Sequence, residues 1–132
     1  MRKIIILFIS FFCFQVAVAQ DTVYDAVVAS LKSGDSKLLS NYFTSNMELT
    51  ILDNEAVYSK IQAELVLKDF FSKYPVSTYS LLHRGKSPEG SVFSIGKLTT
   101  NKGVFRTYFY LKQINGKTLL NELRFEKNDS VE

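Results

Sequence analysis

The pair Asn115-Gly116, set between two runs rich in aromatic and β-branched residues, constrains this chain more than any other feature. Both residues tolerate the positive φ that a two-residue type I′ turn demands, so Val104–Ile114 and Thr118–Phe125 are expected to pair as an antiparallel hairpin. The turn also sets a register. With Ile114 opposite Lys117, regular pairing puts Lys112 opposite Leu119, Tyr110 opposite Asn121, Tyr108 opposite Leu123 and Arg106 opposite Phe125, all on one side of the sheet. Phe105, Thr107, Phe109, Leu111, Leu120, Glu122, Arg124 and Glu126 then occupy the other side. Both faces are part apolar, so each needs a cover.

Two more runs precede this hairpin, Val76–His83 and Val92–Thr100, separated from each other and from Val104 by Ser87-Pro88-Glu89-Gly90 and Asn101-Lys102-Gly103. Together the four runs predict an antiparallel meander. Upstream, Met47, Leu49 and Ile51 alternate with Glu48 and Thr50 as a first strand, which Asp53-Asn54 ends. The helical signals lie around that strand. Val23, Ala26, Val27, Ser30 and Leu31 follow i, i+3, i+4, i+7 spacing, and Gly34 supplies a left-handed stop. Asp35 or Ser36 can cap a short second helix through the pairs Leu38/Tyr42 and Leu39/Phe43. Ser59 with Gln62 makes a capping-box pattern, from which a long helix carries Ile61, Leu65, Phe70, Phe71 and Tyr74 as its apolar face to a stop at Pro75. The fold class is therefore α+β: N-terminal helices and one long helix packed on a curved antiparallel sheet. That helix can cover only one face, so a second copy, giving a homodimer through the sheet, or a ligand is expected on the other.

Residues 1–19 read as a secretory signal. Arg2 and Lys3 precede an apolar run from Ile4 to Phe14, shorter than a spanning helix needs, and Ala17-Val18-Ala19 presents small residues for cleavage before Gln20. The bulky Ser10-Phe11-Phe12 before Cys13 argues against lipoprotein processing. A single domain, 20–132, is expected to be periplasmic or extracellular, with no stable membrane anchor after cleavage. It would carry fourteen basic and thirteen acidic side chains, a net charge of +1, because Arg2 and Lys3 leave with the signal. Near-neutral charge and scattered Lys and Arg leave no footprint for nucleic acid. Cys13 is the only cysteine, so the mature domain has no thiol for disulfides, catalysis or Cys-ligated zinc.

The chemistry-bearing motifs are sparse. No Gly-x-Ser-x-Gly elbow and no phosphate-binding Gly-rich loop is present. His83 is the only histidine; it can serve as an acid/base group or simply end its strand in alternation with Tyr79 and Leu81, and alone it cannot hold zinc. Asp53 and Glu55 flank a turn, too few carboxylates for a calcium site, and read as a solvated connection between strand and helix. No metal and no cofactor is expected. The set Arg106, Tyr108, Tyr110 and Asn121, with His83, is the candidate ligand-binding group: aromatic walls with a few polar atoms, and an Arg for an anionic end. The same residue types also suit a dimer interface.

The order of these elements resembles the cone-shaped nuclear transport factor 2-like superfamily, which shares the cystatin-like arrangement of helices on a curved sheet. The residues carrying the resemblance are Ser33-Gly34-Asp35, then Leu38-Leu39-Ser40-Asn41-Tyr42-Phe43, the strand Met47–Leu52 and the helix after Ser59. With the leader, the chain resembles an exported bacterial family of that superfamily, domain of unknown function 4783. The resemblance implies a conical pocket and a dimer across the sheet, not a single activity. Proton abstraction of the ketosteroid-isomerase kind is unsupported, because a rough alignment puts Ile51 where the acidic base belongs and Val27 where a donor Tyr is needed. Three readings remain. The leading one is a non-catalytic exported domain binding a small apolar or amphipathic ligand, and it requires an open cavity lined by Tyr108 and Tyr110. The second is a structural or interaction module of the cell envelope, favoured by a cavity filled with the protein's own side chains. The third is an enzyme using His83 or Asp53, which requires one of them inside the cavity.

Overall fold

The computed structural model describes residues 18–128, with side chains from Thr22 onward; residues 1–17, holding most of the expected leader, and 129–132 lie outside the described residues. The chain runs α1 (Val18–Ser33), α2 (Ser36–Ser40), β1 (Phe43–Ile51), β2 (Asn54–Ser59), α3 (Lys60–Lys73), β3 (Val76–Lys86), β4 (Val92–Thr100), β5 (Gly103–Ile114) and β6 (Lys117–Lys127). The six strands form one sheet in the order β2-β1-β6-β5-β4-β3. The meander β3–β6 is antiparallel throughout, and β1 joins its β6 edge as a parallel neighbour. Strand β2 is an addition to the sequence reading: Asn54–Ser59 pairs antiparallel with β1 where a solvated connection was expected. It is short, lies on the sheet edge and is mostly exposed, so its alternation is weak.

The local signals behave as their chemistry requires. Gly34 sits at φ +62° behind α1, and the N–H of Asp35 reaches back to the Ser30 carbonyl at 3.0 Å. Asp35 caps α2 by accepting from the Leu38 N–H at 3.0 Å. Ser59 Oγ accepts from the Gln62 N–H while Gln62 Oε1 accepts from the Ser59 N–H, completing the capping box of α3. Asn115 and Gly116 both take positive φ, 50° and 77°. The buried face of α3 keeps Phe70, Phe71 and the half-buried Tyr74 of the expected stripe but not Ile61 and Leu65. Ala63, Leu67, Phe70 and Phe71 are buried, whereas Ile61 and Leu65 are 71% and 60% exposed. Both stripes obey helical spacing, and only the packing partner selects between them.

The hairpin register holds for Ile114–Lys117 and Lys112–Leu119 and then slips. Leu111 pairs with Leu120 but Tyr110 pairs with Glu122, leaving Asn121 as an extra residue in β6. Tyr108 therefore faces Arg124 rather than Leu123, and Arg106 faces Glu126 rather than Phe125. Because side chains alternate with a period of two, this single extra residue turns the rest of β6 over. Leu123 and Phe125 join Phe105, Phe109, Leu111 and Leu120 on an inner face, all at 4% exposure or less. The expectation of two part-apolar faces is thus replaced by one buried, predominantly apolar face, with Ser94 and Thr107 among its few polar members, and one mixed face. The helices cover the inner one. Phe70 of α3 stacks on Phe125 with centroids 4.6 Å apart and meets Phe105 edge-on at 5.5 Å. From α1, Tyr24 packs on Phe109 at 5.5 Å.

Candidate functional site

The five residues singled out as candidate ligand contacts gather on the outer face, away from the helices. Arg106, Tyr108 and Tyr110 alternate along β5, Arg106 exposed and the two tyrosines half-buried. His83 is exposed on the same face, because a bulge at Leu82 removes it from the alternation of Tyr79 and Leu81 and sets it opposite Ile95, which in turn faces Tyr108. Its ring lies 5.6 Å from Phe93. Asn121 is the bulge residue; its Oδ1 lies 3.3 Å from the Thr44 hydroxyl, which also donates to the Asn46 carbonyl at 3.0 Å. Cross-strand neighbours complete the face in rows: Phe93, Tyr110, Glu122 and Glu48; His83, Ile95, Tyr108, Arg124 and Thr50; Lys97, Arg106 and Glu126. The centre is aromatic and aliphatic, with Lys97 and Arg106 on β4–β5 and the carboxylates Glu48, Glu122 and Glu126 on β1 and β6, where Arg124 stands among them.

Arg124 organises the centre of this face. Its guanidinium donates to Glu122 at 2.9 Å and lies 5.6 Å from the Tyr108 ring centroid. Burial pulls the guanidinium's pKa down, but Glu122, with Glu55 and Glu126, outweighs it and holds the group above its ordinary value. Burial first, then the Glu122 carboxylate, pushes the Tyr108 phenol up against the opposing Arg124 charge.

The interior of the cone is filled by the protein itself. Tyr24, Val27, Leu31, Tyr79, Leu98, Phe109 and Leu111 are at most 5% exposed. Sequence reasoning missed a small polar group among them. The Tyr24 and Ser94 hydroxyls are 3.1 Å apart, and the Arg84 guanidinium stacks 3.7 Å from the Tyr24 ring centroid. The Tyr79 hydroxyl lies beside Ser94 and above Gly96 without a hydrogen bond of good geometry, and Thr107 Oγ1 is also buried without a partner. Burial, only partly offset by Ser94, pushes the Tyr79 phenol up to about 12. One signal was available. Tyr24 lies one turn before Val27, so the helix presents a tyrosine to the interior three residues from where the isomerase alignment looked for one. No carboxylate or imidazole joins this group: among the described residues the fully buried polar side chains are serines and threonines, with the two tyrosines.

An open groove of about 580 Å³ lies instead between α3 and the β1–β2 hairpin. Leu49, Ile51, Val66, Phe70, Tyr58 and Tyr74 make its floor and walls, and Asp53, Glu55, Asp69 and Lys73 stand around it. Asp53 is exposed at its lip and Lys73 pairs with Asp69 at 3.0 Å, whereas Glu55, opposite Thr50, belongs by register to the outer row of Arg124 and Tyr108. Ile51 remains apolar here, so the isomerase base has no counterpart at that position. Among the described residues no group of three His, Cys, Asp or Glu side chains could hold a metal ion, and no helix is long and apolar enough to cross a membrane.

Solved structures place this geometry. A protein of the DUF4783 family from Bacteroides fragilis is 34% identical, with 78% of this chain and 96% of that one covered at a TM-score of 0.73. A second DUF4783 family protein, from Bacteroides uniformis, is 30% identical over 82% of this chain and 99% of that one, at a TM-score of 0.77. At 9% identity and a TM-score of 0.58, over 81% of this chain and 91% of the other, an NTF-2 like protein of unknown function from Silicibacter pomeroyi shares the fold alone. No curated protein matches the chain. The family model described as "Domain of unknown function (DUF4783)" matches residues 24–126, which run from the interior tyrosine of α1 to the end of the bulged strand β6. The chain belongs to the DUF4783 family, built on the nuclear transport factor 2-like fold.

Proposed function

We propose that this domain is an exported, non-catalytic interaction module that works as a homodimer through the outer face of its sheet. The observation that carries the reading is the contrast between the two sides of the sheet. The interior, where a small ligand would enter a cone of this shape, is packed with the chain's own side chains, while Phe93, Ile95, Tyr108, Tyr110 and Leu119 lie half-buried on a face that no helix among the described residues covers. Tyr and Arg at the centre of an exposed sheet face are what protein interfaces use for rigid, amphipathic contact.

The charge pattern favours a second copy as the cover. A two-fold axis lying in the face, parallel to the strands between β5 and β6, brings the Lys97–Arg106 side of one copy against the Glu122–Glu126 side of the other, twice over. Such an isologous contact is self-complementary, as closed dimers require. Export rests on the leader pattern of residues 1–19, and intact-mass analysis of protein from its native host should give a chain starting at Gln20. Light scattering over a micromolar dilution series tests the dimer. Wild type should pass from dimer to monomer mass on dilution, and Tyr108→Glu, at a half-exposed position, should be a folded monomer throughout. A wild-type monomer at every concentration, with no binding of an environment-sensitive apolar dye, would overturn the reading.

A further inference from the structure

The leader pattern ends at Ala17-Val18-Ala19, and the residue it hands to the mature chain is a glutamine. The fold places that residue inside a helix. Because α1 begins at Val18, a cut between Ala19 and Gln20 severs it within its first turn and makes Gln20 the N-terminal residue of what remains. We propose that this terminus is a modification site: on the exported protein Gln20 is cyclised to a pyroglutamyl lactam. The inference rests on the leader reading and adds a covalent step that the reading does not itself require.

The step is intramolecular and balances within one residue. The α-amine nitrogen attacks Cδ of the Gln20 amide and a C–N bond forms there. The bond from Cδ to the amide nitrogen breaks, and that nitrogen takes the proton given up by the amine and leaves as ammonia. No oxidant, reductant or co-reactant enters. An unsubstituted α-amine is required, so Gln20 is inert while Ala19 is attached, and Gln62 and Gln113 never meet the condition.

Three features of α1 favour an uncharged terminus. First, the leading N–H groups of a helix have no carbonyl partner inside it, leaving a positive pole that an ammonium opposes. Second, Asp21 and Asp25 follow in the opening turns, carrying the sign that pole prefers, and an ammonium would offset them. Third, Gln20 stands one turn before Tyr24, which anchors the helix at 5% exposure with its hydroxyl 3.1 Å from that of Ser94. Helical side chains lean toward the N-terminus, so the Tyr24 ring lies over the turn that Gln20 begins. The Arg84 guanidinium, 3.7 Å from the centroid of that ring, brings positive charge to the same end. A neutral lactam adds none. It also costs no helical hydrogen bond, since the first helical position spends no N–H inside the helix and accepts a five-membered ring, as proline shows.

The test isolates the mature protein from its native host and reads its N-terminal peptide by tandem mass spectrometry. The expected chain starts at residue 20, is lighter than the unmodified sequence by one ammonia, and resists Edman degradation until pyroglutamyl peptidase exposes Asp21. Gln20→Ala should be cut at the same bond and keep a free, sequenceable amine. A second arm takes folded domain freshly cut from a fusion to expose Gln20 and compares it with the same sample after cyclisation. The lactam form should melt higher at low ionic strength, and added salt should close the gap. A native chain starting at an uncyclised Gln20 would overturn the proposal and leave the leader reading standing. A chain that keeps residues 1–19 would overturn both. Equal melting of the two forms at low ionic strength would overturn the helix-pole argument on which the proposal stands.

Discussion

Two glycines in the sheet pose the same steric problem and should answer it differently. A Cβ on Gly96 would fall inside the envelope of the Tyr79 hydroxyl and Cζ and 2.6 Å from Cε2; a Cβ on Gly85 would meet the Phe93 ring just as closely, with Cδ1 at 3.2 Å. The rings differ in freedom. Tyr79 is 5% exposed, wedged between β4 and the interior, and can move only by displacing its neighbours. Phe93 lies half-buried on the outer face and can swing away. Forcing a methyl into a packed core costs about 1–3 kcal/mol, and the loss of chain entropy in the unfolded state returns about 0.4–1 kcal/mol. Gly96→Ala should therefore destabilise by roughly 1–2 kcal/mol, or a fall in Tm of about 4–16 °C for a domain near this size. Gly85→Ala should stay within about 0.5 kcal/mol in dilute protein, the usual scale for surface sites, and instead weaken dimerisation, because the displaced ring enters the proposed interface. Urea denaturation at low concentration measures the first quantity, and dilution light scattering the second. A double-mutant cycle completes the test: Tyr79→Leu removes the obstructing ring, so its combination with Gly96→Ala should fall short of additivity by about 1 kcal/mol or more. Additive costs, or equal costs for the two glycine substitutions, would refute the reasoning.

Tyr79 also implies an alkaline limit: its folded-state pKa of about 12 lies above the ordinary 10, so the folded state holds the proton longer and stability is fully present below pH 10 and lost as pH rises toward 12. The loss should approach about 2–3 kcal/mol, and Tyr79→Phe should flatten that part of a stability profile measured by denaturant titration between pH 9 and 12. Gly116→Val should cost roughly 1–2 kcal/mol through the backbone alone, since a Cβ there meets nothing within 4 Å while φ is +77°; an unchanged melting temperature would argue against a strained turn.

Sequence determined what depends on near neighbours. The Gly34 stop, the Asp35 cap, the Ser59–Gln62 box and the Asn115-Gly116 turn each involve groups within a few residues, and all four stand where their chemistry puts them. The existence and order of the four meander strands and the α+β class followed from the same local periodicities, although β3 runs three residues past its expected end at His83, to Lys86. What tertiary structure decided was which face each residue serves. The Asn121 bulge arises where β6 must pair with β5 on one side and with the irregular start of β1 on the other, and no residue near Asn121 announces that double constraint. It moved Leu123 and Phe125 inward and brought Arg124 out beside Tyr108. The stripe of α3 was undetermined for a similar reason: Ile61 and Leu65 fit helical spacing as well as Ala63 and Leu67, and only the position of Phe105 and Phe125 across the core selects the second set. The groove was invisible too, because Asp53 stands more than ten residues from Asp69 and Tyr74 along the chain. They come together only when α3 folds back antiparallel to β2, and surface made by two distant segments has no period for a sequence to display.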